Sequence, residues 1–201
     1  MPTLISCDDN HHYNVDGEAV PSVSEIIRFL TKELYKDTPQ YYMDTAAKRG
    51  TEVHKATQSL DELGKVECDS EISSFVKAYV AFKKELKPVW EKVEWMVCND
   101  TRYAGTVDRY GKLNGLNIIL DIKTTANITG LHKLVYGAQL NLYRLAVLKE
   151  KPVDALWILQ LKKDETYKLI EIPKDDSLAL ACLTMHEAIE KTKRKRRKAN
   201  D

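Results

Sequence analysis

The sequence predicts an α/β fold, a mixed central sheet flanked by helices with an N-terminal helical elaboration. Two observations carry that prediction. Helical apolar spacing and strand-like runs succeed one another as helices, three strands, a helix, two strands and a final helix, an order that builds a sheet covered by helices. The pair Asn114-Gly115, set between two apolar runs, is a two-residue hairpin signal that ties the second and third strands together.

In chain order, His11 to Val20 reads as a short hairpin turning at Asp16-Gly17. Pro21-Ser22 opens a helix, because Ser22 and Glu25 have capping-box spacing with Ile26, Ile27 and Leu30 behind them. Thr38-Pro39 predicts a second start, a cap followed by proline at the first helical position. That helix runs to about Gly64, with an interruption or close packing near Gly50. Asp69 to Lys87 is amphipathic, with Ile72, Phe75, Tyr79, Phe82 and Leu86 on one face, and Pro88 stops it. Strands are expected over Val89–Cys98, Tyr103–Tyr110 and Leu116–Lys123, then a helix over Gly130–Glu150. Strands at Ala155–Leu161 and Tyr167–Ile172 and a helix from Asp175 complete the chain.

Composition sets the frame. The 201 residues suit a single domain, with a hairpin and helices over 1–66, a sheet-bearing core over 67–173 and a C-terminal helix with a basic tail over 174–201. At 43% hydrophobic and 30% charged residues the chain is globular in character. No apolar run approaches the ~18 residues of a membrane span, and Met1 to Asn10 lack the features of a signal peptide. A soluble, cytoplasmic protein with no membrane partner is expected. Cys7, Cys68, Cys98 and Cys182 are scattered without a CxxC pair, which argues against a zinc ribbon or a disulfide framework and for reduced thiols. The net charge of +1 hides a gradient, because residues 191–201 hold seven of the 31 Lys and Arg. Within that tail Lys193, Arg194, Arg196 and Arg197 are candidate phosphate contacts, against the plainer reading of a solvated helix end.

The hairpin register concentrates the chemistry. With Asn114-Gly115 as the turn, Asp108 faces Asp121 and Thr106 faces Lys123, so Asp108, Asp121 and Lys123 share one face while Val107 and Ile122 point to a core. Two opposed carboxylates with Cβ atoms ~5 Å apart repel each other, and a divalent cation offsets that repulsion. Such a pair suits Mg²⁺ or Mn²⁺, ions that retain waters and accept phosphate oxygens. Lys123 beside it could orient or deprotonate an attacking water, or stabilise charge on a phosphate. The pattern points to metal-dependent phosphodiester hydrolysis.

Residues Ala104-Gly-Thr-Val-Asp108 followed by Ile119-Leu-Asp121-Ile-Lys123-Thr-Thr resemble the PD-(D/E)XK (restriction-endonuclease-like) nuclease core in its RecB-like exonuclease branch. Upstream, Arg49-Gly-Thr-Glu-Val-His54 resembles that branch's G-x-x-x-H helix, and downstream Gln139-Leu-Asn-Leu-Tyr143 resembles its Q-x-x-x-Y helix. The motifs span roughly residues 45–165, and the N-terminal segment is similar in style to phage-encoded members. The resemblance implies a Mg²⁺- or Mn²⁺-dependent DNA exonuclease serving recombination, repair or phage DNA metabolism. A structure-specific or single-strand endonuclease and a non-catalytic DNA-binding module stand as alternatives. It implies Asp108 ligating or bridging the ions, Asp121 and the Ile122 carbonyl completing one site and His54 the other, with Lys123 by the nucleophile. Gln139 and Tyr143 would contact phosphate or order the site, and Arg49, Thr124 and Thr125 would contact the DNA backbone. A single-strand-annealing or recombination partner protein and an oligomer are open options. Tyr136, His132, Glu91 and Glu94 read as structural, the two glutamates because they fall on opposite faces of their strand. Only Cys182 follows Cys98, so no iron–sulfur cluster is expected, and without a Walker A pattern no use of ATP.

Overall fold

The computed structural model describes residues 4–8 and 12–198. Three short strands, β1 (Ile5–Cys7), β2 (Tyr13–Val15) and β3 (Glu18–Val20), form a small antiparallel sheet. The β2–β3 hairpin turns at Asp16 and Gly17, both at positive φ; the His11 start expected for it lies outside the described residues, and β1 is an added strand. Three helices follow, α1 (Val23–Ile26), α2 (Arg28–Leu34) and α3 (Gln40–Leu63), and then α4 (Ser70–Leu86). The main sheet holds β4 (Val89–Cys98), β5 (Ala104–Leu113), β6 (Leu116–Lys123), β7 (Ala155–Leu161) and β8 (Tyr167–Ile172) in that spatial order. The helix α5 (Gly130–Val147) joins β6 to β7, and α6 (Asp176–Lys198) ends the described chain.

The sheet is mixed. The β6–β7 pair is parallel and the other three pairs are antiparallel, as the α5 crossover between β6 and β7 requires. One apolar core lies between the sheet and α1, α5 and α6, around Ile26, Ile119, Leu140, Leu156 and Leu183. A second lies between the sheet and α3 and α4, around Val53, Phe75, Phe82, Leu120 and Leu159. Strand β6 serves both, with Ile119 in the first core and Ile118, Leu120 and Ile122 in the second. Among the described residues no helix is long and apolar enough to cross a membrane.

Local chemistry explains the element ends. Ser22 caps α1 in a full capping box, its hydroxyl accepting from Glu25 N and the Glu25 carboxylate accepting from Ser22 N. The start of α3 falls one residue later than expected: Pro39 is itself the cap, at ψ 141°, and no side chain bonds the first turn. That helix is uninterrupted at Gly50, where an added Cβ would meet nothing within 4 Å. The Asn114-Gly115 turn sits at positive φ at both positions and sets the expected register from Leu113–Leu116 to Arg109–Leu120.

Beyond Arg109–Leu120 the expected register departs from the structure. The β5–β6 ladder ends there, so Asp108 and Asp121, and Thr106 and Lys123, are not ladder partners. On its other side β5 pairs Arg109 with Val93 and Val107 with Trp95, stepping over Asp108 and Glu94. Glu94 has φ 45°. The alternation of β5 also slips here: Val107 packs in the core against α5, whereas Arg109 turns to Thr57 and Asp61 of α3 and Tyr79 of α4. Val107 and Ile122 therefore reach two different cores rather than one.

Candidate functional site

The interruption at Asp108 is where the chemistry gathers. Freed from both ladders, the Asp108 carboxylate accepts the Ile122 N–H through Oδ2 at 2.7 Å, taking the place of a strand bond. His54 approaches from α3, its Nδ1 3.5 Å from Asp108 Oδ2 and 3.7 Å from Glu94 Oε1. Its Nε2 lies 3.1 Å from the Ile122 carbonyl oxygen. The ring and that carbonyl, which the motif resemblance would assign to different ions, thus share one locus. His54, Glu94 and Asp108 each offer a ligand atom within 4.8 Å of the others, a group able to hold a divalent metal. Burial alone would lower the His54 pKa, but the Asp108 and Glu94 carboxylates outweigh it and raise it to about 9.

Glu94 is the residue that sequence reasoning missed. In a regular strand it would point away from Glu91 and carry no special meaning. Its left-handed backbone and the slip opposite it bring the carboxylate under α3, and neither feature has a sequence signal in a glutamate.

Beside this cluster, at the end of β6, Asp121 and Lys123 form a pair with Nζ 2.7 Å from Oδ2. Asp121 Oδ2 is almost fully buried, and the Lys123 ammonium is its close cationic neighbour. Burial raises the Asp121 pKa, with Asp108 adding to the rise and Lys123 opposing it. Burial pushes the Lys123 pKa down, but Asp121 and Asp108 hold it above its ordinary value. The ammonium is gripped on its other sides: Nζ donates to Gln139 Oε1 at 3.2 Å and sits 4.9 Å from the centre of the Tyr136 ring. Tyr136, expected to be structural, is thus a wall of the lysine's socket. Gln139 Nε2 donates to the Tyr143 hydroxyl at 3.4 Å, and burial holds that phenol well above its usual range. The Tyr143 ring lies against Gly105, where any Cβ would come within 2.7 Å of its Cε1.

His54, Glu94, Asp108, Lys123, Tyr136, Gln139 and Tyr143 line a cleft of about 1420 Å³ walled by α1–α3, β4–β6 and α5, and Asp121 is buried behind Lys123. Arg49, Thr124 and Thr125 line it as well, with Arg49 Nε and Nη2 donating to Thr124 Oγ1 and O at 3.4 Å. The Gln160 amide, buried on β7, fixes the loop after β6 by donating to the carbonyls of Thr125 and Ala126. Gly50 opens its missing side chain into the same space. Of the basic tail, Lys193, Arg194 and Arg196 are exposed on α6, no described side chain of which lines the cleft, and the Arg197 side chain lies outside the described residues.

No family model matches the chain, and neither does any curated protein. Solved structures do. One is an alkaline exonuclease, LHK-Exo, from Laribacter hongkongensis, at 16% identity and TM-score 0.40, covering 73% of this chain and 84% of that one. Another is a protein called SSO0001, at 15% identity and TM-score 0.42, covering 85% of this chain and 76% of that one.

The arrangement therefore offers a carboxylate–imidazole cluster and a charged lysine held in a socket, both opening to one cleft, with the buried Asp121 paired to that lysine. Such a set can hold a hard cation beside a fixed ammonium, which suits the hydrolysis of a phosphate ester.

Proposed function

We propose that the chain is a metal-dependent deoxyribonuclease that hydrolyses DNA phosphodiester bonds with an activated water. The observation that carries this reading is the convergence of His54, Glu94, Asp108 and Lys123 at one cleft, with the buried Asp121 paired to Lys123. Oxygen donors with one imidazole suit Mg²⁺ or Mn²⁺. His54, Glu94 and Asp108 would hold the ion, with Asp121 and the Ile122 carbonyl beside them. A bound divalent ion supplies Lewis acidity to a phosphate oxygen and lowers the pKa of a water.

The protein's own groups do the rest. Lys123, paired with Asp121 and bonded to Gln139, would supply a fixed positive charge that donates to the attacking water or to a phosphate oxygen. Gln139 and Tyr136 hold that ammonium in place, and Tyr143 in turn holds Gln139. Arg49, Thr124 and Thr125 face the cleft, positioned for contacts to the DNA backbone, which orient a strand without reading its sequence. The resemblance of the four motifs to the RecB-like branch favours exonuclease over endonuclease action.

The test uses end-labelled linear duplex, linear single strand and covalently closed circle, each with Mg²⁺ or Mn²⁺ and with Lys123→Ala alongside. Loss of linear DNA with circles spared, abolished by the substitution, is the expected result. Cutting of circles would make the enzyme an endonuclease, and no metal-dependent cutting of any substrate would overturn the reading.

A further inference from the structure

We infer that Arg109 is the positioning residue of the metal site: one buried guanidinium holds Glu94, Asp108 and the His54-bearing turn of α3 at the spacing a divalent cation needs. The inference rests on reading the cluster as a metal site.

Arg109 is completely buried. Its Nη1 donates to Glu94 Oε1 at 3.1 Å and to the Asp108 carbonyl oxygen at 2.6 Å. Its Nη2 donates to Thr57 Oγ1 at 3.1 Å, and the Thr57 hydroxyl donates onward to the His54 carbonyl at 3.0 Å. A single side chain thus touches the carboxylate of one cluster residue, the backbone of the second and, through one hydroxyl, the backbone of the third.

The guanidinium is itself anchored. Its Nε donates to Asp61 Oδ2 at 2.7 Å and reaches the Tyr79 hydroxyl at 3.3 Å. Asp61 in turn accepts from Tyr79 at 2.5 Å and from Lys83 at 2.6 Å. An ion pair serving stability alone would be complete at Asp61. Nη1 and Nη2 instead reach the three elements that carry His54, Glu94 and Asp108. Only a planar fork with five N–H groups can serve them together, so lysine is not an equivalent here. The left-handed backbone at Glu94 fits the same account, because such a conformation persists where its surroundings over-determine it.

The test separates positioning from mere stability. Mn²⁺ binding is titrated by the electron paramagnetic resonance signal of free aqueous Mn²⁺, with thermal melts of each metal-free protein alongside. Wild type is compared with Arg109→Lys, which keeps the charge beside Asp61, with Thr57→Val, which removes only the hydroxyl link to His54, and with Asp108→Ala. Arg109→Lys is expected to fold and to bind Mn²⁺ about 10-fold more weakly or worse, the usual cost of losing a group that orients metal ligands. Thr57→Val is expected to fold and bind several-fold more weakly. Should Arg109→Lys fail to fold, Thr57→Val decides. A folded Arg109→Lys or Thr57→Val that binds Mn²⁺ as wild type does, even with a lowered melting temperature, would overturn the inference and leave the metal site standing. Wild type that binds no more Mn²⁺ than Asp108→Ala would overturn the metal-site reading itself, and this inference with it.

Discussion

Replacing Gly105 by alanine adds one carbon and two hydrogens, yet the structure gives that carbon no room. An ideal Cβ at 105 would lie 2.7 Å from Tyr143 Cε1 and 3.1 Å from a Val23 methyl carbon. Carbon atoms pack best at about 3.5–4.0 Å, so the ring must retreat by roughly 1 Å. It cannot do so by swinging a flexible tip, because Tyr143 is a buried aromatic on α5. Overpacking of this kind costs about 1–3 kcal/mol, while replacing a strand glycine by alanine returns about 0.5–1. The net loss of about 0–2.5 kcal/mol should lower the melting temperature by up to about 10 °C for a domain of this size. The same retreat pulls Tyr143 off Gln139, and Gln139 off Lys123, so kcat should fall on any DNA substrate the wild type cuts. The assay is a double-mutant cycle in which Tyr143→Leu removes the ring. On that background Gly105→Ala should be neutral or mildly stabilising, with a coupling of about 1–3 kcal/mol. Equal destabilisation by Gly105→Ala with and without the ring would refute the steric argument.

Further expectations concern the charged groups. Lys123→Met should reduce turnover by at least about 100-fold, as loss of one electrostatic donor does, while Mn²⁺ binding measured by calorimetry survives. Mn²⁺ at 100 times its dissociation constant should stabilise the wild type by about 2.7 kcal/mol, read as a melting shift that Asp108→Asn removes. In the metal-free protein the folded His54 pKa of about 9 lies above its ordinary 6.5, so its stabilising contribution is complete below about 6.5 and is lost as pH rises through 9. Urea midpoints should therefore fall over that window in wild type and stay flatter in His54→Gln. Replacing Lys193, Arg194 and Arg196 by serine should leave kcat unchanged, because none of the three lines the cleft, and should flatten the salt dependence of duplex binding.

What was legible in the sequence and what was not follows from the range of the interactions. The Asn114-Gly115 turn is local, and with it came the antiparallel pair and the nearness of Asp108, Asp121 and Lys123. The capping box at Ser22 and the stop at Pro88 are local too. The breakdown of β5 at Asp108 is not, because it depends on the backbone of Glu94 in another strand, and so both the missing ladder pairs and the role of Glu94 were invisible. Arg109 was hidden for the same reason: its partners Thr57, Asp61 and Tyr79 come from two helices far earlier in the chain. Tyr136 belonged to a helical stripe that reads as a core margin until Lys123 is seen against its face. The expected break at Gly50 failed because a lone glycine within a long helix is tolerated when nothing presses on it.

The left-handed backbone at Glu94 sets this protein's stability against its chemistry. Glycine or asparagine would occupy that conformation with less strain, and a selection for heat resistance alone would favour either one. Either would leave the strand more comfortable and strip His54 and Asp108 of a neighbouring carboxylate. A lineage or a laboratory that optimises this scaffold for durability would therefore tend to dismantle the His54–Glu94–Asp108 cluster by way of a substitution that looks like an improvement.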